Sequence, residues 1–168
     1  MANWCYNSVT FSGPQKKLEE LFNMIKFLEV KANLNNSGVI PDFIENNPEL
    51  MAKDDMLYMF GIYYSEDSFD FISFYSKWSP ALDTVYEIAK QIGVSFEHEY
   101  DESSNMIYGL AFYNHQTGEY RNTYLDEDDF DKIKEEYDEV SGIEWYSFEG
   151  KDYEVKEDIL EILIRRKI

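Results

Sequence analysis

The sequence predicts an α+β fold: an antiparallel sheet built in the order strand, helix, strand, strand, helix, strand, with both helices on one face. Three observations carry this. Two segments repeat apolar residues at three- and four-residue spacing, as amphipathic helices do. Alternating or aromatic-rich runs of strand length flank them, and two of these runs are joined by Ser65-Glu66-Asp67-Ser68, which has the polarity and length of a hairpin turn. The chain is also 44% hydrophobic and 17% aromatic, enough apolar surface to fold despite a net charge of -19.

The first strand is read over Asn3 to Ser12, with Cys5, Asn7, Val9 and Phe11 on one side and Trp4, Tyr6, Ser8 and Thr10 on the other. Ser12-Gly13-Pro14-Gln15 offers a helix N-cap, a first-turn proline and a capping-box partner. Leu18, Leu21, Phe22, Ile25 and Leu28 then form a buried stripe. Residues 31–55 are interrupted by Asn33, Asn35, Asn36, Gly38, Pro41 and Pro48, so a long excursion with one short helix near 47–53 is expected. Met56 to Tyr64 and Phe69 to Ser76 are the paired strands. Ser79-Pro80 opens a second helix with Leu82, Val85, Tyr86, Ala89 and Ile92 inward, and Gly93 ends it. A strand from Val94 to Tyr100 completes the set, which is the ferredoxin-like arrangement.

After a turn at Glu102 to Asn105, Met106 to Tyr113 and Glu119 to Tyr124 read as strands extending that sheet. Asp126 is placed as the cap of a third helix, with Phe130, Ile133, Tyr137 and Val140 as its buried stripe. Ile143 to Phe148 reads as a short strand. A last helix runs from about Tyr153 or Glu154 to Lys167, acidic early and basic late, as the helix dipole favours. The expected organisation is a ferredoxin-like domain with sheet extension over 1–125, and an acidic helical C-terminal segment over 126–168 packed on the same domain.

Charge is unevenly spread. Residues 1–93 hold thirteen acids and seven bases, residues 94–161 hold twenty-one acids and five bases, and the last seven residues add three positive charges. Such an anionic body repels nucleic acid and anionic membranes and attracts cationic surfaces. The single cysteine, Cys5, cannot form an intrachain disulfide, which fits a reducing compartment, and cytoplasmic localisation is expected.

The opening Asn3-Trp4-Cys5-Tyr6-Asn7-Ser8-Val9-Thr10-Phe11-Ser12-Gly13 resembles the start of the YubB-like family of ferredoxin-like-domain proteins carried by phages, plasmids and conjugative elements. Ser76-Lys77-Trp78-Ser79-Pro80 and Phe96-Glu97-His98-Glu99-Tyr100-Asp101-Glu102 resemble that family's tryptophan-proline turn and acidic strand, in the same order. The resemblance spans roughly residues 3–113. It implies the fold and a mobile-element setting, and it carries over no catalytic residue.

Motifs for chemistry are sparse. Asp126 and Asp128 take the first and third positions of a calcium loop, but Phe130, Asp131 and Tyr137 fail its fifth, sixth and twelfth. The acidic run is better read as a helix cap. His98 points away from Glu97 and Glu99 on an alternating strand, while Glu97, Glu99 and Asp101 share the other face. Asn7, an amide on the apolar side of its strand, needs hydrogen-bond partners and is expected to tie the sheet to a loop. Trp78 is weighed both as a lid on the core edge and as an aromatic anchor for a partner. The aromatic strands suggest base stacking, but no cationic residue lies between Met56 and Ser76 to neutralise phosphate.

The expected function is therefore a protein–protein interaction module, neither an enzyme nor a direct nucleic-acid or membrane binder, with no cofactor and no metal. Its anionic face would bind a basic, nucleic-acid-binding partner in the manner of a DNA mimic. Asp126, Glu127, Asp128, Asp129, Asp131, Glu135, Glu144, Glu149, Asp152 and Glu154 are the candidate contacts, with Trp78 as the candidate aromatic anchor. The alternative is a structural or oligomer-forming domain that self-associates through its aromatic sheet.

Overall fold

The structure is a computed structural model that describes residues 3–54, 56–102 and 105–168. Its first strand β1 (Trp4–Ser12) alternates as the sequence requires, burying Cys5, Asn7, Val9 and Phe11. Helix α1 (Gln15–Asn35) buries Leu18, Leu21, Ile25, Leu28 and Ala32, and Asn36 in the left-handed region ends it, its N–H donating to the Ala32 carbonyl. The residue at the helix N-cap is Pro14, with no side-chain cap, so the expected capping by Ser12 is not formed.

The excursion that follows holds two one-turn helices, α2 (Asp42–Glu45) and α3 (Pro48–Met51). It is anchored rather than loose. Val39, Ile40 and Ile44 are buried, and Lys31 of α1 reaches Asp42 and Glu45 at 2.8 and 3.2 Å. Strand β2 (Phe60–Tyr64) is shorter than expected. Met56 and Met59 ahead of it are core residues, and the Thr84 hydroxyl donates to the Leu57 carbonyl at 2.8 Å. Strand β3 (Phe71–Lys77) leads to α4 (Leu82–Ile92), which starts at the Ala81 cap rather than at Ser79-Pro80 and ends at left-handed Gly93.

Strands β4 (Ser95–Glu102), β5 (Ile107–Asn114) and β6 (Glu119–Tyr124) complete one six-stranded antiparallel sheet in the order β2-β3-β1-β4-β5-β6. The first four strands in that order are the ferredoxin-like set, and β5 and β6 extend it. Of the turn expected over Glu102 to Asn105, Glu102 is the last residue of β4, and Ser103 and Ser104 lie outside the described residues. Helices α1 and α4 cover one face, here the helix face, over a core that includes Phe11, Phe74, Phe96, Leu21, Ile25 and Ile88. Each such buried side chain contributes about 1.5–3 kcal/mol.

The C-terminal segment departs from the sequence reading. The helix begun at Asp126 lasts one turn, α5 (Glu127–Phe130), and residues expected to continue it form β7 (Lys134–Asp138). Strand β7 pairs with β8 (Ile143–Phe148), and β8 with β9 (Lys151–Tyr153), as a separate three-stranded antiparallel sheet. The stripe Phe130, Ile133, Tyr137 and Val140 does not exist as one surface: Phe130 is buried, whereas Tyr137 and Val140 are exposed. Helix α6 (Lys156–Lys167) rests on β5 and β6 of the large sheet and on β8 and β9 of the small one. Its Ile159, Leu160, Leu163 and Ile164 join Tyr108, Leu125, Phe130 and Phe148 in a second core on the outer face of the large sheet. No described helix is long and apolar enough to cross a membrane.

Candidate functional site

The C-terminal lobe, residues 126–168, carries sixteen acids and seven bases. The structure divides the ten candidate acids into two groups. Asp126, Asp129, Glu135 and Glu149 are already engaged. Asp126 and Asp129 form a reciprocal capping box around α5, each carboxylate accepting the other residue's backbone N–H. Asp129 is buried. Burial alone would raise its carboxyl, but hydrogen bonds from Lys132 at 2.8 Å and from Lys167 hold it well below the usual carboxylate range. Lys167 also reaches Asp126 at 2.9 Å. Glu149 accepts both arms of the Arg166 guanidinium at 2.7 and 2.9 Å, which lowers its pKa, and Glu135 meets Lys156 at 3.4 Å.

Glu127, Asp128, Asp131, Glu144, Asp152 and Glu154 form the second group. All six are exposed and without an ion pair among the described residues. The long helix expected to carry Glu127, Asp128 and Asp131 is a single turn. Glu127 and Asp128 lie on α5 with Asp131 just after it, and Glu144 and Asp152 lie on β8 and β9. The β7–β8 hairpin adds Glu136 and Glu139 to this charge, and exposes Tyr137, Val140 and Ile143 at its tip. The sequence reading missed that tip, although Asp138, Ser141 and Gly142 marked it. The Asp138 carboxylate accepts the Val140 N–H and the Ser141 hydroxyl, and Gly142 takes a positive φ of 69°.

Trp78 does not close the core edge. It is 58% exposed, in a left-handed backbone conformation with φ 73°, on the connection between β3 and α4. Asn7 secures that connection from beneath. Its amide donates to the Cys5 carbonyl at 3.0 Å and to the Ser76 hydroxyl at 2.9 Å, and its carbonyl oxygen accepts the Ala81 N–H at 3.1 Å. Ser76 donates onward to the Ser79 carbonyl at 2.6 Å. Because the Asn7 oxygen can only accept, the His98 contact at 3.0 Å places the ring proton on Nε2. His98 is fully buried, and burial holds its pKa down to about 3, so the ring is neutral.

Burial, reinforced by Glu102 and Asp101, pushes the Cys5 thiol up to about 12, which leaves it protonated at neutral pH. Among the described residues no group of three or more His, Cys, Asp or Glu side chains is placed to hold a metal ion. Glu97, Glu99 and Asp101 share the outer face of β4, as the alternation requires, and Glu99 accepts the Tyr108 hydroxyl at 2.6 Å.

Fold and surface together define an acidic α+β protein with a ferredoxin-like sheet and an anionic lobe built onto its outer face. The family described as the ferredoxin-like domain in Api92-like protein matches residues 58–154, more than half of the chain, and the chain belongs to that family. The match runs from the approach to β2 through β9, so it takes in most of the anionic lobe and leaves out β1, α1, α2, α3 and α6. No curated protein and no solved structure matches the chain.

Proposed function

We propose that this protein is a non-catalytic protein–protein interaction module of a mobile genetic element, acting in the cytoplasm, whose anionic lobe occupies the basic surface of a nucleic-acid-binding partner. One observation carries the reading: six carboxylates of the lobe stand exposed and without an ion pair among the described residues. A duplex carries one charge per roughly 1.7 Å of its axis, and a folded array of carboxylates competes for the same lysines and arginines. The mobile-element setting rests on the resemblance of the β1 and Trp78-Ser79-Pro80 segments.

The test neutralises only carboxylates that the fold does not use. A variant with Glu127→Gln, Asp128→Asn, Asp131→Asn, Glu144→Gln, Asp152→Asn and Glu154→Gln melts no lower than wild type and loses at least about tenfold in affinity for a basic partner captured from the host and identified. Undiminished affinity overturns the reading. Asp126 and Asp129 are left intact because their removal would undo α5.

A second reading, an oligomer-forming domain, draws on the part of the outer sheet face that α6 leaves uncovered, where Trp4, Tyr6 and Tyr75 are exposed. Sedimentation at high micromolar concentration separates the two. A monomer removes the second reading.

A further inference from the structure

Helix α6 covers the outer face of the large sheet only over β5 and β6. Over β1, β3 and β2 that face is open and aromatic. Register sets Tyr6 opposite Tyr75, Tyr75 opposite Phe60, and Trp4 opposite Lys77, so these side chains share one surface. Trp4, Tyr6 and Tyr75 are 45%, 39% and 45% exposed. The rings touch: Trp4–Phe60 at 5.0 Å, Tyr6–Tyr75 at 5.5 Å and Trp4–Tyr75 at 6.5 Å between centroids. Trp4, Phe60 and Tyr75 line an open, almost wholly apolar cavity of about 310 Å³.

The border of this surface is anionic. Across β1, Tyr6 faces Asp101, Ser8 faces Glu99 and Thr10 faces Glu97, which places a carboxylate row beside the rings. A second cavity, of about 110 Å³, is lined by Tyr6, Ser8, Glu99, Tyr100 and Asp101. Tyr6 lines the acidic cavity and packs on Tyr75 of the apolar one, so the two adjoin. The Oδ1 atom of Asp101 is buried without a hydrogen-bond partner among the described residues. Burial, with Glu157 and Glu99 close by, holds the Asp101 carboxyl up to about 6.

The charges choose the occupant. Strands β1, β2 and β3 contribute one cationic side chain, Lys77, and it already lies over the Phe60 and Trp4 rings, at 5.0 and 5.8 Å from their centroids. The ring faces therefore take a cation within the protein itself. A phosphate backbone would meet the row of Glu97, Glu99 and Asp101, and a second copy would bring another net charge of -19. A planar cation satisfies both halves of the surface, because guanidinium stacks on aromatic rings and donates in a fork to carboxylates.

We propose that the open half of the sheet docks an arginine-bearing segment of a partner protein, guanidinium groups stacking on Trp4, Tyr6 and Tyr75 and donating to Asp101 and Glu99. This goes beyond the reading of the anionic lobe and uses a different face. The probes are a short peptide of alternating arginine and glycine and its twin with citrulline at every arginine, titrated against the full chain and followed by tryptophan fluorescence and calorimetry.

Net charge alone draws a basic peptide to this protein, so the deciding variant changes no charge. Tyr6→Ala with Tyr75→Ala is expected to weaken the arginine peptide by about tenfold, and Tyr6→Phe with Tyr75→Phe to keep it, as loss of cation–π contact predicts. Asp101→Asn weakens it by a comparable factor, the citrulline twin binds at least about tenfold more weakly than the arginine peptide, and the six-carboxylate lobe variant keeps a clear dependence on Tyr6 and Tyr75. Equal affinities of wild type and the alanine pair overturn the proposal and leave the lobe reading standing. A dimer dissolved by the alanine pair, or a single-stranded oligonucleotide held more tightly than the peptide, also overturns it.

Discussion

At the scale of single residues, the most consequential side chain is Asn7. Its amide answers four groups that the core would otherwise leave short, so replacement by a shape-matched apolar residue strands them together. Asn7→Leu is expected to cost about 3 kcal/mol, within the range for orphaning two or more buried groups, and to lower the urea midpoint accordingly. His98 makes the same network sensitive to acid. Its native pKa of about 3 lies below the ordinary value of 6.5, so in that window the unfolded chain binds a proton that the native state refuses. Stability from this group is complete above pH 6.5 and declines as pH falls toward 3, by at most about 1.4 kcal/mol per pH unit. Asp101 acts in the opposite sense. Raised from 3.8 to about 6, it keeps a proton that the unfolded chain releases, so its contribution declines as pH rises through that interval. His98→Gln therefore flattens the acid-side loss, and urea unfolding at neutral pH and between 3.8 and 6 checks it. A steeper acid loss in the variant would refute the assignment. Trp78 supplies a separate prediction. Because its ring is exposed and its φ is 73°, Trp78→Gly relieves a conformation that costs a non-glycine residue about 1 kcal/mol, and stability should hold or rise. A fall in partner affinity with that stability retained would make Trp78 an anchor.

At the scale of elements, a close backbone approach holds the sheet extension in place. Tyr100 on β4 lies over Gly109 of β5, and its hydroxyl donates to Asn122 of β6 at 2.8 Å, so one ring spans three strands. A Cβ on Gly109 would strike that ring and stand 2.8 Å from the Thr123 carbonyl oxygen. Gly109→Ala should cost about 2 kcal/mol by overpacking, read as a lower melting temperature with the β1–β4 core intact. The ferredoxin-like strands and helices were legible because each has one buried side and one wet side, which prints a period of two or 3.6 on the sequence. Residues 134–140 were not. Phe130, Ile133, Tyr137 and Val140 fit a helical stripe, but a helix there would stack Glu127 with Asp131, Asp131 with Glu135, and Glu135 with Glu139 at like-charge i,i+4 spacing. The strand avoids that series and sets Glu135 opposite Tyr146. The candidate acids were legible as a group but not by role, since a carboxylate in a capping box and one facing water are the same letter. The aromatic surface was visible only as a strand composition, because what leaves it open is the reach of α6, a tertiary fact.

At the scale of the whole molecule, the charge of -19 and the basic end of α6 pull against each other. Arg165, Arg166 and Lys167 pair with Glu161, Glu149, Asp126 and Asp129, which ties the last helix to the acids of its own lobe. These contacts are largely exposed, and such pairs contribute about 0–1 kcal/mol each. Repulsion among the remaining carboxylates is spread over the lobe, and Glu127, Asp128, Glu144 and Asp152 make no ion pair among the described residues. Salt screens both, but it acts more on the diffuse repulsion, because close pairs lie well inside the Debye length of about 10 Å at 0.1 M while the unpaired acids interact across longer gaps. The melting temperature should therefore rise as sodium chloride is raised from low millimolar to several hundred millimolar. The six-carboxylate variant should melt higher than wild type at low salt and show a smaller rise. Lys167→Gln should do the reverse, melting lower at every salt concentration because the buried Asp129 carboxylate then keeps Lys132 alone. A melting temperature that falls with salt in the wild type would mean that the C-terminal ion pairs, rather than the unpaired acids, dominate the electrostatics of the fold.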